Sequence, residues 1–215
     1  MRHGFIKTAA ATPSIRVADC LYNTEKIISL IKKASEESVH LLVLPQLCVT
    51  GHTCQDLFFQ QALTEGAMEC SLKIAQSVPR NMVVVFGCPV EHLGKLYNCA
   101  VVASNSKILG IVPATYTASR WFAPAPDKTV DIEYADSTVP FGSRIIFSCR
   151  TLPSFRLACA VSDDITAPLD PMTGHALSGA SIIACSDATP DYAASTSYRT
   201  SLIESTSSRL ICSCV

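Results

Sequence analysis

Residues 40–45 read His40-Leu-Leu-Val-Leu-Pro45, a short run of apolar residues that ends at a proline. A run of this length, bounded by a proline, is typical of a buried strand. The segments on either side, Asp19 to Ser38 and Gln55 to Val78, repeat apolar residues every three to four positions, which predicts two amphipathic helices. A buried strand between two amphipathic helices favours a layered α/β fold.

Further elements are predicted along the rest of the chain. Strands are expected at Phe5–Ala11, Met82–Val90, Leu96–Ala103, Ile108–Val112, Ile145–Ser148, Phe155–Val161, Ile182–Cys185 and Ile211–Val215. Ser119 to Val139 has prolines and aspartates without a clear period and is predicted to be a loop, whereas Tyr192 to Arg209 is predicted to be a helix. Because no repeat or linker is visible, we predict one domain over residues 1–215. Its last predicted strand reaches Val215 without a turn, so we expect a C-terminally truncated fold.

The composition argues against several classes of protein. The chain has 17 Lys and Arg against 18 Asp and Glu, a net charge of −1, so it lacks the basic surplus that nucleic-acid binding requires. Its longest apolar stretch, Met82 to Val90, is far shorter than the roughly 20 residues of a membrane-spanning helix. The first residues contain no apolar core typical of an export signal. We therefore expect neither a nucleic-acid partner nor a membrane, and a cytoplasmic location.

Eleven cysteines are present, an odd number with no Cys-x-x-Cys pair. Most lie in apolar, strand-like runs, which is typical of small buried side chains in a reducing compartment. Cys48, His52 and Cys54 could be read as a metal cluster, but they lack a fourth ligand and the usual zinc spacing. We expect neither a metal nor a cofactor.

Several predicted strands are followed by residues that could take part in chemistry. Functional sites in α/β proteins often lie at such strand ends. Gln46 follows the strand that ends at Pro45, Ala114 follows Pro113, and Ser162 precedes Asp163 and Asp164. By themselves these residues supply no complete mechanism, because Ser162 has neither a Gly-x-Ser-x-Gly turn nor an evident histidine base. The two aspartates could hold Mg²⁺, cap a helix or face solvent.

Longer stretches spread over nearly the whole chain carry a family resemblance. They are Met1–Pro13, Leu44-Pro45…Leu47…Thr50-Gly51, Asp56–Leu63, Gly94–Ala100, Arg120–Pro124, Gly179-Ala180…Ile183-Ala184 and Tyr198-Arg199…Leu202…Ser208-Arg209. Together they resemble the carbon–nitrogen hydrolase (nitrilase) superfamily, specifically the glutaminase domains of glutamine-dependent NAD synthetases. The resemblance implies an α-β-β-α sandwich.

The same resemblance implies a site from which the catalytic side chains have been replaced. Family members use a glutamate base, a lysine that stabilises the oxyanion and a cysteine nucleophile; those three positions hold Gln46, Ala114 and Ser162 here. Gln46 cannot accept a proton, and Ala114 offers no charge to an oxyanion. Without a base, the hydroxyl of Ser162 stays protonated. The resemblance therefore implies a catalytically inactive domain.

Other departures leave more than one function open. Thr115–Ser119 is shorter than the corresponding family segment, and no Ser-Gly-Gly-x-Asp-Ser pyrophosphatase loop is present, so we expect a shortened paralogue or a fragment of a longer protein.

The first hypothesis is a structural or partner-binding subunit, as a homo-oligomer or with an NAD synthetase-like partner. The second is a residual amide hydrolase that uses Ser162, with Asp163 as base, to supply ammonia for NAD biosynthesis. The third is a module that binds a small-molecule amide without turnover.

Overall fold

The structure is a computed structural model that describes residues 5–190 and 192–215. Its elements are β1 (Thr8–Ala10), α1 (Cys20–Glu36), β2 (Leu41–Val43), α2 (Gln61–Ser77), β3 (Val83–His92), β4 (Lys95–Ser104), β5 (Lys107–Pro113), β6 (Val130–Tyr134), β7 (Ser137–Phe141), β8 (Phe147–Cys149), β9 (Leu152–Val161), α3 (Pro171–Leu177), β10 (Ile182–Ser186), α4 (Ser195–Leu210) and β11 (Ser213–Cys214). Two 3₁₀ turns cover Gln55–Phe59 and Ser162–Ile165. The first four residues of the Met1–Pro13 match lie outside the described residues.

The strands form two sheets. The larger has seven strands in the order β1-β2-β3-β4-β5-β7-β6, and the smaller has four in the order β11-β10-β9-β8. β1, β2 and β3 run parallel, whereas β3, β4 and β5 form an antiparallel meander. In the smaller sheet β9, β10 and β11 are parallel. The carboxyl ends of β2, β5 and β9 are followed by the residues singled out above, Gln46, Ala114 and Ser162.

The two sheets pack face to face through side chains that alternate along each strand. In β9, Leu157, Cys159 and Val161 point into the space between the sheets, whereas Ala160 lies in a separate cluster on the outer face. The larger sheet fills the same space with Leu41, Val43, Val85, Ala100, Val102 and Val112. Both faces of the central strands are buried, which is why they read as continuous apolar runs.

Helices cover the outer face of each sheet and complete the predicted α-β-β-α sandwich. On the larger sheet, α1 and α2 bury Ile27, Ile31, Ala67 and Ile74 against Leu42, Val84 and Phe86. On the smaller sheet, residues of α3 and α4 cover the outer cluster, with Met172, Leu202 and Ile203 against Ala160 and Ile183. A fully buried isoleucine contributes roughly 1.5–3 kcal/mol to stability, so these faces hold the layers together. Across the described chain, no helix combines the length and apolar character that crossing a bilayer requires.

The predicted loop at Ser119–Val139 is wrong, because it contains β6 and the start of β7. These strands form an antiparallel hairpin at the edge of the larger sheet, with Glu133 opposite Thr138 and a turn in which Ala135 has a φ of 52°. Only alternate residues of β6, Ile132 and Tyr134, are buried. Two buried residues that alternate with exposed, mostly charged ones make a short pattern. Next to the neighbouring prolines, that pattern was not recognised as a strand.

Two smaller predictions also differ from the structure, and one short helix was not predicted. The single helix predicted over Gln55–Val78 is interrupted at Gln60, whose extended backbone separates the 3₁₀ turn from α2. The short helix α3 was not predicted; the side chain of Asp170 caps it by accepting from Thr173 N. The last strand is shorter than predicted because Ile211 ends α4 in the left-handed conformation, with a φ of 53°.

Candidate functional site

Gln46 follows β2 in a tight turn that is packed against β3. It is 3% exposed, and its Oε1 accepts a 2.7 Å hydrogen bond from Nδ2 of Asn98. A Cβ atom on Gly87 of β3 would overlap the backbone of Gln46 and Leu47, so only glycine permits this close approach. The turn therefore holds a neutral amide, already bonded, where the family resemblance implies a carboxylate base.

Asn98 is a site residue that the sequence analysis did not identify. Its side chain donates to Gln46, and its backbone carbonyl accepts a 2.9 Å hydrogen bond from Ala114 N. Asn98 therefore contacts two of the three predicted site positions. Asparagine is uncommon in strands, and a buried amide requires partners, so an asparagine within the apolar run of β4 was the signal available in the sequence.

Ala114 follows β5 and is 1% exposed, with its methyl group packed in the cluster between the sheets. Its carbonyl accepts a 2.8 Å hydrogen bond from Ala125 N, so both backbone polar groups are bonded. The residue brings no charge to the site. A lysine at this position would begin from a buried Cα atom within this apolar cluster.

Asp164 holds the loop that follows Ala114. Its carboxylate, in a residue that is 1% exposed, accepts hydrogen bonds from the backbone N–H groups of Thr115 (3.0 Å), Tyr116 (2.9 Å) and Val161 (3.3 Å). Burial raises the pKa of this carboxyl, and the three N–H donors partly oppose the rise. Asp164 thus connects the loop after β5 with the turn after β9, a positioning role.

Asp163 has a similar but more exposed role, since its Oδ2 accepts a 2.7 Å hydrogen bond from Ala118 N. The part of the chain that the structure describes contains no group of three or more His, Cys, Asp or Glu side chains arranged to hold a metal ion. The carboxylates of Asp163 and Asp164 instead accept from backbone amides of residues 115–118.

Ser162 begins the 3₁₀ turn after β9, with a φ of 55°. A positive φ is uncommon for serine and is often found where a strand end presents a functional side chain. Ser162 is half-buried and lines a cavity of about 430 Å³, together with Cys185, Tyr198 and Leu202. Gln46 and Ala114 do not line this cavity.

The three predicted positions are connected by hydrogen bonds between strand ends. Asn98 joins Gln46 to Ala114, and Asp164 joins the residues after Ala114 to the turn that Ser162 begins. A further bond of 3.0 Å, from Ser186 Oγ to the Leu44 carbonyl, joins β10 to the end of β2 across the two sheets. That the three side chains share one substrate site stays a prediction.

The cysteines are free thiols, and eight of the 11 are buried. Cys48 is bonded to the Gly87 carbonyl, and burial raises the pKa of its thiol to about 12. Cys54 is also buried, whereas His52 is exposed. Thiols such as Cys48 stay protonated near neutral pH, and a protonated thiol is a poor nucleophile and metal ligand.

The sequence is similar to a known protein family and to curated proteins. The profile of the family described as carbon-nitrogen hydrolase matches residues 7–205. Glutamine-dependent NAD(+) synthetase of Mycobacterium bovis is 28% identical over 191 residues, covering 85% of this chain and 28% of that protein. The human enzyme of the same name is 25% identical over 75% of this chain and 25% of its own length. The chain thus spans about a quarter of the length of these curated relatives.

Solved structures of similar proteins superpose on this chain. A glutamine-dependent NAD(+) synthetase from Cytophaga hutchinsonii superposes with a TM-score of 0.85 and 26% identity, over 96% of this chain and 34% of that chain. An amidase from Nesterenkonia sp. superposes with a TM-score of 0.76 over the whole of this chain and 76% of that chain. At 18% identity, this superposition shows a shared fold alone.

Proposed function

Because the chain belongs to the carbon–nitrogen hydrolase family, we propose that it keeps the scaffold of a glutaminase domain without its hydrolytic chemistry and acts as a partner-binding pseudoenzyme. The observation that carries this proposal is the hydrogen bond from Asn98 Nδ2 to Gln46 Oε1. It commits the side chain at the base position to a structural contact, and an amide cannot take a proton from a nucleophile.

The other two positions support the same proposal. Ala114 has only a buried methyl group where a positive charge would stabilise a tetrahedral oxyanion, a contribution on the order of 10²–10³ in rate by analogy with a lost oxyanion-hole donor. Ser162 presents a hydroxyl, but Asp164 beside it already accepts three backbone hydrogen bonds. Because catalytic residues act as a unit, loss of one already removes most of the rate.

The hydrogen bonds of this site support a domain that folds without this chemistry. Asn98 joins strand ends through its amide, Asp164 through its carboxylate and Ser186 through its hydroxyl, and none of these bonds requires the family's glutamate, lysine or cysteine. In this proposal the function of the domain is to present the family's fold to a partner. The partner is a second copy of this chain or an NAD synthetase-like protein, and a small amide is the candidate ligand.

Covalent trapping tests the central step. We expect no adduct at Ser162, mapped by peptide mass spectrometry because the free thiols of Cys185 and Cys214 line the same cavity, when the chain is incubated with a glutamine analogue that carries an electrophilic ketone. The matched variant Ser162→Cys restores a thiol at the same position and serves as the control for access, since the cavity beside Ser162 is about 430 Å³. An adduct on the unmodified chain that maps to Ser162 would overturn the proposal.

A second candidate function is residual amide hydrolysis with Ser162 as nucleophile and Asp163 as base. The observation in its favour is the positive φ of Ser162, 55°, on a residue that lines an accessible cavity. Against it, Asp163 Oδ2 is 2.7 Å from Ala118 N and accepts its hydrogen bond. Loss of any measured turnover in both Ser162→Ala and Asp163→Asn would support this second function.

A further inference from the structure

Two cysteines meet on the outer face of the smaller sheet, Cys185 in β10 and Cys214 in β11. The two strands are parallel, and Ile183 lies directly opposite Cys214. Ile183 and Cys185 both contact the outer cluster under α3 and α4. Because residues opposite each other in a parallel pair, and residues two apart in one strand, point to the same face, all three side chains share that face.

The two thiols are in contact and can be reached from solvent. The Cys185 thiol donates a hydrogen bond to the Cys214 sulfur. A 2.8 Å bond from Cys185 N to the Val215 carbonyl holds the two strands side by side at the same point. Both cysteines are partly exposed, and both line the cavity of about 430 Å³ described above. A small reagent that enters this cavity therefore meets two thiols together.

The hydrogen bond makes the two thiols chemically unequal. Donation from Cys185 lowers the pKa of the Cys214 thiol, although burial opposes this. The same bond, together with burial, raises the pKa of the Cys185 thiol well above its ordinary value. Since the thiolate is the reactive form of cysteine, Cys214 is the nucleophile of the pair and Cys185 keeps its proton.

Two neighbouring cysteines are less well placed to react with Cys214. Cys159 of β9 points into the space between the sheets, which is the opposite face of the smaller sheet. Cys212 is buried, and its thiol donates a 3.0 Å hydrogen bond to the Ala180 carbonyl. Burial and the nearby charge of Cys214 raise the pKa of the Cys212 thiol. Cys185 is therefore the partner that the fold presents to Cys214.

We propose that Cys185 and Cys214 form a peroxide-sensitive dithiol, which hydrogen peroxide converts into a disulfide within one chain. In the first step the Cys214 thiolate attacks one peroxide oxygen, the O–O bond breaks, and Cys214 sulfenic acid and hydroxide form. In the second step the Cys185 sulfur attacks the Cys214 sulfur, and the S–O bond breaks as the S–S bond forms. The Cys185 proton leaves with the departing hydroxyl as water. The cysteines lose two electrons, and the peroxide gains them.

The position of β11 allows the approach that the second step requires. The sulfur atoms must move from hydrogen-bonding distance to the S–S bond length of about 2 Å. β11 is only two residues long and lies at the edge of the smaller sheet. A small shift of this edge strand moves Cys214 without displacing the central strands. Neither cysteine is one of the three family catalytic positions, so this proposal does not rest on the proposed function.

The test exposes the reduced full chain, at low protein concentration, to a small excess of hydrogen peroxide. N-Ethylmaleimide then blocks every thiol that is still free in the denatured chain. We expect the treated chain to carry two fewer maleimide groups than the untreated chain, and peptide mass spectrometry to join Cys185 to Cys214. Dithiothreitol should restore both labelling sites.

Two variants complete the test. In Cys185→Ser the sulfenic acid at Cys214 has no thiol partner, so dimedone should label it and the cross-link should be absent. Cys149→Ser is the matched control. Cys149 is also partly exposed, and a hydrogen bond lowers the pKa of its thiol, but that bond comes from the hydroxyl of Thr151. This variant should form the Cys185–Cys214 cross-link at an unchanged rate, and melting curves check that both variants are folded.

Three results would overturn the proposal. The first is that Cys185 and Cys214 of the unmodified chain keep their maleimide labels after peroxide treatment. The second is that the cross-link joins two chains or another pair of cysteines. The third is that dimedone does not label Cys214 in Cys185→Ser.

Discussion

Asn98 donates a 2.7 Å hydrogen bond from its side-chain amide to Oε1 of Gln46, which joins β4 to the turn after β2. The same residue accepts from Ala114 N through its carbonyl. Two of the three positions predicted to correspond to the family's catalytic residues are therefore held by one buried asparagine.

Replacement of Asn98 by alanine should destabilise the fold by about 1–3 kcal/mol, since the buried Oε1 of Gln46 loses its donor. Urea unfolding measures this change. Asn81→Ala, at an exposed asparagine before β3, is the control and should shift the midpoint little. Equal stability of Asn98→Ala and Asn81→Ala would contradict the role assigned to Asn98.

Two glycine-to-alanine substitutions should change stability in opposite directions. A Cβ atom at Gly87 would overlap the backbone of Gln46 and Leu47, so Gly87→Ala should cost about 3 kcal/mol or more. Gly66 lies within α2 with no atom near its ideal Cβ, so Gly66→Ala should stabilise the fold by about 0.5–1 kcal/mol. Thermal melts distinguish the two, and a Gly87→Ala variant as stable as the parent would refute the close approach.

The triple substitution Gln46→Glu, Ala114→Lys and Ser162→Cys should restore thiol reactivity without useful turnover. The new thiol adjoins an accessible cavity, whereas a lysine at Ala114 begins within the apolar cluster between the sheets, where burial opposes its charge. A displacement of about 1 Å at the reacting groups can cost on the order of 10² in rate. Alkylation by iodoacetamide, mapped to position 162 because Cys185 and Cys214 line the same cavity, and glutamate release measure the two effects separately.

The control for this experiment is Ser162→Cys alone, which tests access to the thiol without the buried lysine. Steady glutamate release by the triple variant at about 1 s⁻¹ or more would show that the side-chain substitutions alone account for the lost activity. It would also show that the short Thr115–Ser119 segment is sufficient for substrate positioning.

The layered fold was largely predictable from the sequence, but the edge hairpin and the asparagine contact were not. Central strands such as β3 are buried on both faces, so their apolar runs identify them directly. β6 lies at a sheet edge and buries only Ile132 and Tyr134, so its pattern is short and depends on pairing with β7. The Asn98–Gln46 bond joins residues 52 positions apart, and no local pattern encodes it.

Stability should fall as the pH is lowered through the range in which His175 titrates. Burial holds its folded-state pKa below 6.5, so the unfolded chain binds more protons between that folded pKa and 6.5. Within this range the free energy of unfolding should fall by up to about 1.4 kcal/mol per pH unit; above it, the contribution of neutral His175 is fully present.

His175→Gln should reduce this slope, whereas His52→Gln, at an exposed residue, is the control. His40, whose pKa is also lowered by burial, contributes in the same direction and should leave a smaller residual slope. Urea midpoints measured at several pH values provide the comparison. An unchanged slope in His175→Gln would exclude a neutral buried imidazole at this position.

We expect the chain to associate in solution, with itself or with a partner. Ile211 is 92% exposed and Leu177 is 86% exposed, and large apolar side chains of this kind are stabilised when an interface covers them. Light scattering should give a mass above that of one chain, and Ile211→Ser should reduce it. A monodisperse monomer for the unmodified chain at high concentration would count against homo-oligomerisation.

The most direct test of the central claim is the rate of glutamate release from L-glutamine by the unmodified chain. With an amide at Gln46, a methyl group at Ala114 and an unactivated hydroxyl at Ser162, the account predicts a rate equal to that of buffer and of the Ser162→Ala variant. Glutamate release clearly above both, and proportional to protein concentration, would contradict it.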